Sequence, residues 1–120
     1  MNIFILEDDP SRMKLFNEWF KDHEIDHSDW AGDAINSLRS IKYDVIFLDH
    51  DLGGQAFVDS NDPNTGYQVA KTIPDGINAN TPVIVHSMNP AGGKNILDVL
   101  TTPQKIHSPF GTQLRNIISS

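Results

Sequence analysis

Short apolar runs that alternate with helically spaced segments constrain this chain more than any other feature. "NIFIL" (Asn2 to Leu6), "DVIFLD" and "PVIVHS" read as strands buried on both faces, because they are continuously apolar and show no two-residue alternation. "HSDWAG" and "KIHS" read as weaker second and fifth strands. Between them, "PSRMKLFNEWFKDHE" carries Met13, Phe16 and Phe20, with Leu15 and Trp19 beside them, at helical spacing, and Pro10 suits a first helical turn. "DAINSLRSI" places Ala34, Ile35, Leu38 and Ile41 on one helical face, "YQVAKTI" reads as a helix stopping near Pro74, "KNILDVL" as another, and "TQLRNIIS" as a short last helix. Buried strands alternating with amphipathic helices require a parallel sheet covered on both sides. The expected fold class is therefore α/β and flavodoxin-like, a five-stranded parallel sheet of order 2-1-3-4-5 with helices on both faces. Residues 1–120 suffice for a single domain and leave no room for a second core.

In such a fold, ligands sit beyond the carboxyl ends of the strands, at the switch point between the first and third. That rim is rich in ionisable groups. The first strand ends in Glu7, Asp8 and Asp9, the third in Asp49, His50 and Asp51, the fourth in His86, Ser87 and Asn89, and the fifth in His107 and Ser108. Three of the five histidines thus end successive strands. If the strand ends are level, alternation puts Asp49, Ser87 and Ser108 on one side, and His50, His86 and His107 on the other. Two neighbouring imidazoles supply the acid and base that cleavage of a phosphodiester needs, with Asp49 or Asp51 orienting or charging one of them. Three imidazoles with a carboxylate also make a zinc or manganese site. Glu7, Asp8 and Asp49 suit a hard cation such as magnesium. The loop "SMNPAGGKN" precedes a helix, so Gly93 and Lys94 offer close backbone approach and a cation to a phosphate held with Ser87 and Asn89. It lacks the spacing of a Walker loop, and no dinucleotide glycine fingerprint or Gly-x-Ser-x-Gly elbow occurs. "GGQAFVDSNDPNTG" is a long polar loop of a kind that compact folds seldom keep without a use.

Composition narrows the partners. The net charge of -7, with nine Lys and Arg scattered singly, argues against a long nucleic-acid duplex. No apolar run reaches the roughly 20 residues of a membrane span, and no basic region precedes the first apolar stretch, so a cytoplasmic location and no membrane partner are expected. The absence of cysteine removes disulfides, thiolate nucleophiles and Cys-based zinc sites. The oligomeric state is left open.

Over nearly its whole length the chain resembles a response-regulator receiver. "ILEDDP" is similar to the receiver opening, which would make Glu7 and Asp8 the metal-binding acidic pair. "IFLDHDL" puts Asp49 where the phosphoacceptor stands, Gly66 in "GYQVAKTI" matches the glycine of the following helix, and Ser87 matches the switch Ser/Thr. "HSPF" is similar to the Lys-Pro-Phe ending the fifth strand, which would make Ser108–Pro109 a candidate for a cis bond. The usual lysine is Ser108 here, and Lys105 lies three residues earlier. "LDHDLGG" and "VHSMNPAGG" resemble more closely the His-Asp and His-Ser-x-Asn signatures of cyclic-phosphate-processing receiver domains. That resemblance implies a small protein that binds, and hydrolyses, a cyclic-phosphate nucleotide such as an RNA 2',3'-cyclic end or a cyclic-nucleotide signal. His50, His86, Asp49 and Asp51 would be catalytic, Ser87, Asn89, Gly93, Lys94, His107 and Ser108 would contact ligand, and a divalent metal (Mg, Mn or Zn) would be held by Glu7, Asp8 and Asp49. The alternatives are a signalling receiver phosphorylated on Asp49 and a non-catalytic nucleotide-binding module.

Overall fold

The computed structural model describes residues 1–118. Five strands, β1 (Asn2–Leu6), β2 (Glu24–Ser28), β3 (Val45–Leu48), β4 (Val83–Val85) and β5 (Lys105–His107), form one parallel sheet of order β2-β1-β3-β4-β5. The helices are α1 (Pro10–Trp19), α2 (Ala31–Ser40), α3 (Gly66–Ala70) and α4 (Pro90–Val99), with 3-10 turns at Ile73–Asp75 and Thr112–Asn116. The second strand falls earlier in the chain than "HSDWAG" suggests: "EIDHS" pairs with β1 from Asn2↔Glu24 to Leu6↔Ser28, because an edge strand needs pairing on one side only and tolerates polar residues. The last helix is a 3-10 turn, and Ser119, the end of the segment "TQLRNIIS", lies outside the described residues. No peptide bond is cis among the described residues, so Ser108–Pro109 is trans, contrary to the receiver pattern.

The two faces of the sheet have separate cores. Phe4, Leu6, Ile46, Leu48, Val83 and Val85 point toward α2, α3 and α4. Ile3, Ile5, Phe47 and Ile84 point toward α1, where Met13, Phe16 and Phe20 close over them with Leu114. Burial on both sides is why the central strands read as unbroken apolar runs. Leu15, at 38% exposure, and Ile41, at 43%, stay outside these cores despite their helical spacing.

Two close approaches fix the upper rim. A Cβ on Gly66 would fall 1.7 Å from the Asp49 carbonyl oxygen, so α3 packs directly on the end of β3. The start of α4 sits as tightly: a Cβ on Gly92 would be 2.4 Å from His50 Cγ, and one on Gly93 would be 2.5 Å from His107 Cε1. These glycines make room for imidazoles rather than for a ligand.

Candidate functional site

The strand register decides which rim residues meet. Leu6 pairs with Leu48, Leu48 with Val85, and Val85 with His107. One step further along, Glu7, Asp49, His86 and Ser108 stand in one rank, on the α1 face. His107 is one residue behind His86 and His50 one residue ahead of Asp49, so both point to the α4 face. The row of three imidazoles expected from level strand ends therefore does not form. Against that expectation β4 is offset by one residue, with His86 rather than Ser87 level with Asp49 and Ser108, and a one-residue offset reverses facing. His50 and His86 are both fully buried and on opposite faces, so they do not form an acid/base pair over one substrate.

Glu7, Asp49 and His86 form the first cluster. Each offers a ligand atom, and these atoms lie within 4.8 Å of one another. Glu7 is fully buried; its Oε1 accepts from His86 Nε2 at 3.0 Å and its Oε2 accepts the Asp9 amide at 3.0 Å. Asp49 Oδ1 accepts the His50 amide at 2.8 Å. Burial pushes both carboxyls up to about 7, with their mutual repulsion adding to Asp49. Burial pushes His86 down to about 4, so its imidazole is neutral and Nε2–H donates to Glu7. Its Nδ1 has no hydrogen-bond partner, and the ring packs near Phe16, Phe47 and Phe110, edge to face with Phe16 at 5.1 Å between centroids. Two buried carboxylates and a neutral imidazole with ligand atoms this close could hold a divalent cation. Asp8 stands outside this three-residue cluster: its Oδ2 accepts the Gly54 amide at 2.7 Å, at the adjoining cleft. Asp9 caps α1 by accepting from the Ser11 and Arg12 amides.

Asp49 forms part of the wall of a cleft of about 410 Å³ with Asp8, Arg12, Asp51, Gly54 and Met88. Arg12 is the cation that sequence reasoning missed. It reaches the cleft from the first turn of α1, its guanidinium lying 5.1 Å above the Phe110 ring, and it draws the Glu7 pKa downward against the effect of burial. The only signal in the sequence was its position three residues after the Asp9 cap. Lys105, by contrast, donates to the Leu97 and Leu100 carbonyls at 2.8 Å each, closing the end of α4 far from the rim. Ser108, in the lysine's place, accepts from Gln113 Nε2 at 3.2 Å.

On the other face, His50 is a brace. Asp51 Oδ1 accepts from its Nδ1 at 2.7 Å, and its Nε2 meets Ser60 Oγ at 2.8 Å. Asn95 donates to the same hydroxyl at 2.9 Å. Asp51 also accepts from the Phe57 and Val58 amides and from Asn89 Nδ2. Burial works to raise the Asp51 pKa, but these hydrogen bonds outweigh it and hold the carboxyl below the usual range. With both ends of this hydroxyl–imidazole–carboxylate chain tied, it fastens the 53–64 loop to the sheet. Ser87, Asn89, Gly93, Lys94 and His107 do not assemble into a phosphate cradle. Ser87 is fully buried, with its Oγ accepting the Asn89 amide and its carbonyl accepting from His107 Nε2. The Asn89 side chain caps α4 through the Gly92 amide, Gly93 lies under His107, and Lys94 points outward to Asp98 at 2.8 Å.

The order of the sheet, with a carboxylate pair ending β1 and an aspartate ending β3, defines a receiver-type protein. Solved receivers share the fold. The receiver domain of sensor histidine kinase PA1611 from Pseudomonas aeruginosa PAO1, with magnesium coordinated in its active-site cleft, superposes with a TM-score of 0.71 at 20% identity, covering 97% of this chain and 92% of that one. A CheY-like receiver protein from Methanospirillum hungatei JF-1 gives 0.68 at 13% identity, over 93% and 84%. The Mn(2+)-bound response regulator Rcp1 gives 0.67 at 18% identity, over 95% and 85%. Residues 1–102 match the family described as the cyclic-phosphate processing Receiver domain, and the chain belongs to that family. No curated protein matches the sequence. Among the described residues, no helix is long and apolar enough to cross a membrane.

Proposed function

We propose that this protein binds a small cyclic-phosphate nucleotide in the cleft beside Asp49 and hydrolyses it there. The observation that carries the proposal is the convergence of Glu7, Asp49 and His86 ligand atoms within 4.8 Å, next to a cleft that Arg12 also lines. Membership of the cyclic-phosphate-processing family supports the substrate class. Glu7, Asp49 and His86 would hold a divalent cation (Mg, Mn or Zn), which when bound supplies positive charge to a phosphoryl oxygen and acidity to water. Arg12 neutralises the phosphate from the α1 side. Asp49 borders the cleft and would keep the cation beside the phosphate, while the proton of the attacking water passes to solvent. The water oxygen bonds to phosphorus, one ring P–O bond breaks, and the departing ribose oxygen is protonated by solvent, leaving a phosphomonoester.

Incubating the protein with cyclic mononucleotides and cyclic-phosphate-ended oligonucleotides, with added Mg²⁺, Mn²⁺ or Zn²⁺ and with EDTA, tests this. Ring opening that EDTA and Asp49→Asn abolish is expected; neither turnover nor binding across the panel overturns the proposal. Tight calorimetric binding with intact ligand recovered would reduce the function to sequestration. A receiver phosphorylated on Asp49 is less well supported, because Lys105 is committed to the end of α4 and Ser108 brings no charge.

A further inference from the structure

A second concavity, of about 500 Å³, opens on the other side of the 53–64 loop. It is lined by Phe57, Asp59, Ser60, Asn61, Tyr67 and Asn95 among others; no Lys or Arg borders it, and its one charged residue is Asp59. A pocket with a carboxylate and no cation is a poor place for phosphate; its rings and amides suit an uncharged heteroaromatic ligand.

Phe57 is the most exposed of the large hydrophobic residues, at 74%, where burial would be the ordinary outcome. It is also the one non-glycine residue with positive φ among the described residues, at 54°. A left-handed backbone is unfavourable for an aromatic residue and persists only where its surroundings hold it. The holding group is visible: Asp51 Oδ2 accepts the Phe57 amide at 2.7 Å, and Asp51 is itself fixed by His50 and Asn89. The fold therefore uses a partly buried carboxylate to keep an aromatic ring in solvent at a pocket mouth. Behind it, Asn61 and Asn95 are exposed and bring amide donors and acceptors, the groups that read the edge of a base.

The two concavities share one wall. Gln55 and Ala56 border the acidic cleft and Phe57 borders the second pocket, so the chain crosses from one to the other within two residues. Beneath, Asp51 lines the cleft and Asn89 the pocket, joined by a 3.1 Å hydrogen bond. A ligand with a charged end and a flat neutral end could straddle this ridge.

We propose that the pocket behind Phe57 is a nucleobase site, with Phe57 as the stacking surface and Asn61 and Asn95 contacting the base edge. This rests on the cyclic-phosphate reading for the other half of the ligand, and the experiment separates the two. The probes are the four common ribonucleosides, their 2',3'-cyclic monophosphates, and ethylene phosphate, a cyclic phosphate with no base. Binding is followed by NMR of the Phe57 ring and the Asn61 and Asn95 side-chain amides, and by tryptophan fluorescence in Phe57→Trp. At least one nucleoside is expected to shift those resonances and quench the tryptophan. Phe57→Ala should weaken the matching nucleoside cyclic phosphate about ten-fold, within the range for loss of one base–aromatic stack, and leave ethylene phosphate binding unchanged. Since Phe57 packs little, the variant stays folded. Nucleosides that bind through Phe57 while ethylene phosphate does not bind would support the base site and count against the phosphate cleft. Cyclic nucleotides that bind with the same affinity in wild type and Phe57→Ala, leaving the three side chains unshifted, would overturn the base site.

Discussion

His50 and His86 end adjacent strands, are both fully buried, and are separated by their partners more than by their positions. His50 Nδ1 and Nε2 both have hydrogen-bond partners, and the imidazole joins a loop to the sheet. His86 has one partner, the equally buried Glu7, and its other nitrogen has none. A satisfied buried network rigidifies; an unsatisfied buried group is costly and calls for an explanation. The comparison teaches that residue type and strand end do not define the chemistry of a rim histidine. The face it points to does.

The largest effect is expected from removing the brace. His50→Ala strands Asp51 and Ser60 and opens a cavity beside Gly92, at a loss of about 3 kcal/mol in denaturant unfolding. If the loop hangs on His50, the Phe57 and Val58 amides should also lose hydrogen-exchange protection. A stability change confined to the noise, with those amides still protected, would break the contrast with His86. Gly92→Ala comes next, because its Cβ would fall 2.4 Å from His50 Cγ; we expect a loss of about 1–3 kcal/mol. Combined with His50→Ala, the two losses should fall well short of their sum, since the clash vanishes with the ring.

His86→Phe sharpens the other half. A ring of similar size among Phe16, Phe47 and Phe110 should leave stability within about 1.5 kcal/mol of the wild type, while thermal stabilisation by Mg²⁺ or Mn²⁺ disappears. Retained metal stabilisation would place the cation elsewhere.

The smallest effect is the pH dependence of the metal-free protein. Glu7 and Asp49 rise in the fold from 4.5 and 3.8 to about 7. The stability they contribute is fully present below their unfolded values and is lost as pH rises through about 7. His86 falls from 6.5 to about 4, so its contribution is present above 6.5 and is lost as pH drops through about 4. Two groups oppose one, and unfolding midpoints should decline between about pH 5 and pH 7. Glu7→Gln should flatten that decline, and a divalent cation should stabilise more at about pH 8 than at about pH 5.

Much of this was legible in the chain. The unbroken apolar runs of β1, β3 and β4 announced a sheet covered on both faces, and the rim acids and histidines followed from where those runs stop. Asp49, Glu7 and His86 were each identifiable; that they form one cluster was not. A strand buried on both sides has no polar alternation to mark its facing, so nothing in "PVIVHS" or "KIHS" states that His86 and His107 point opposite ways. Arg12 and Phe57 were missed for a similar reason. One looks like any solvent-facing helical arginine and the other like a loop residue, until α1 and Asp51 aim them.

By itself the sequence determined the order of elements, the parallel sheet, the acidic rim and a long polar loop. Local patterns encode these, because burial and helical spacing act within a few residues. Only the tertiary structure decided the grouping of Glu7, Asp49 and His86, the role of His50 as a brace and the ridge between two concavities. Those depend on strand register and on glycine-tight contacts between α4 and the sheet, which are settled between segments far apart in the chain.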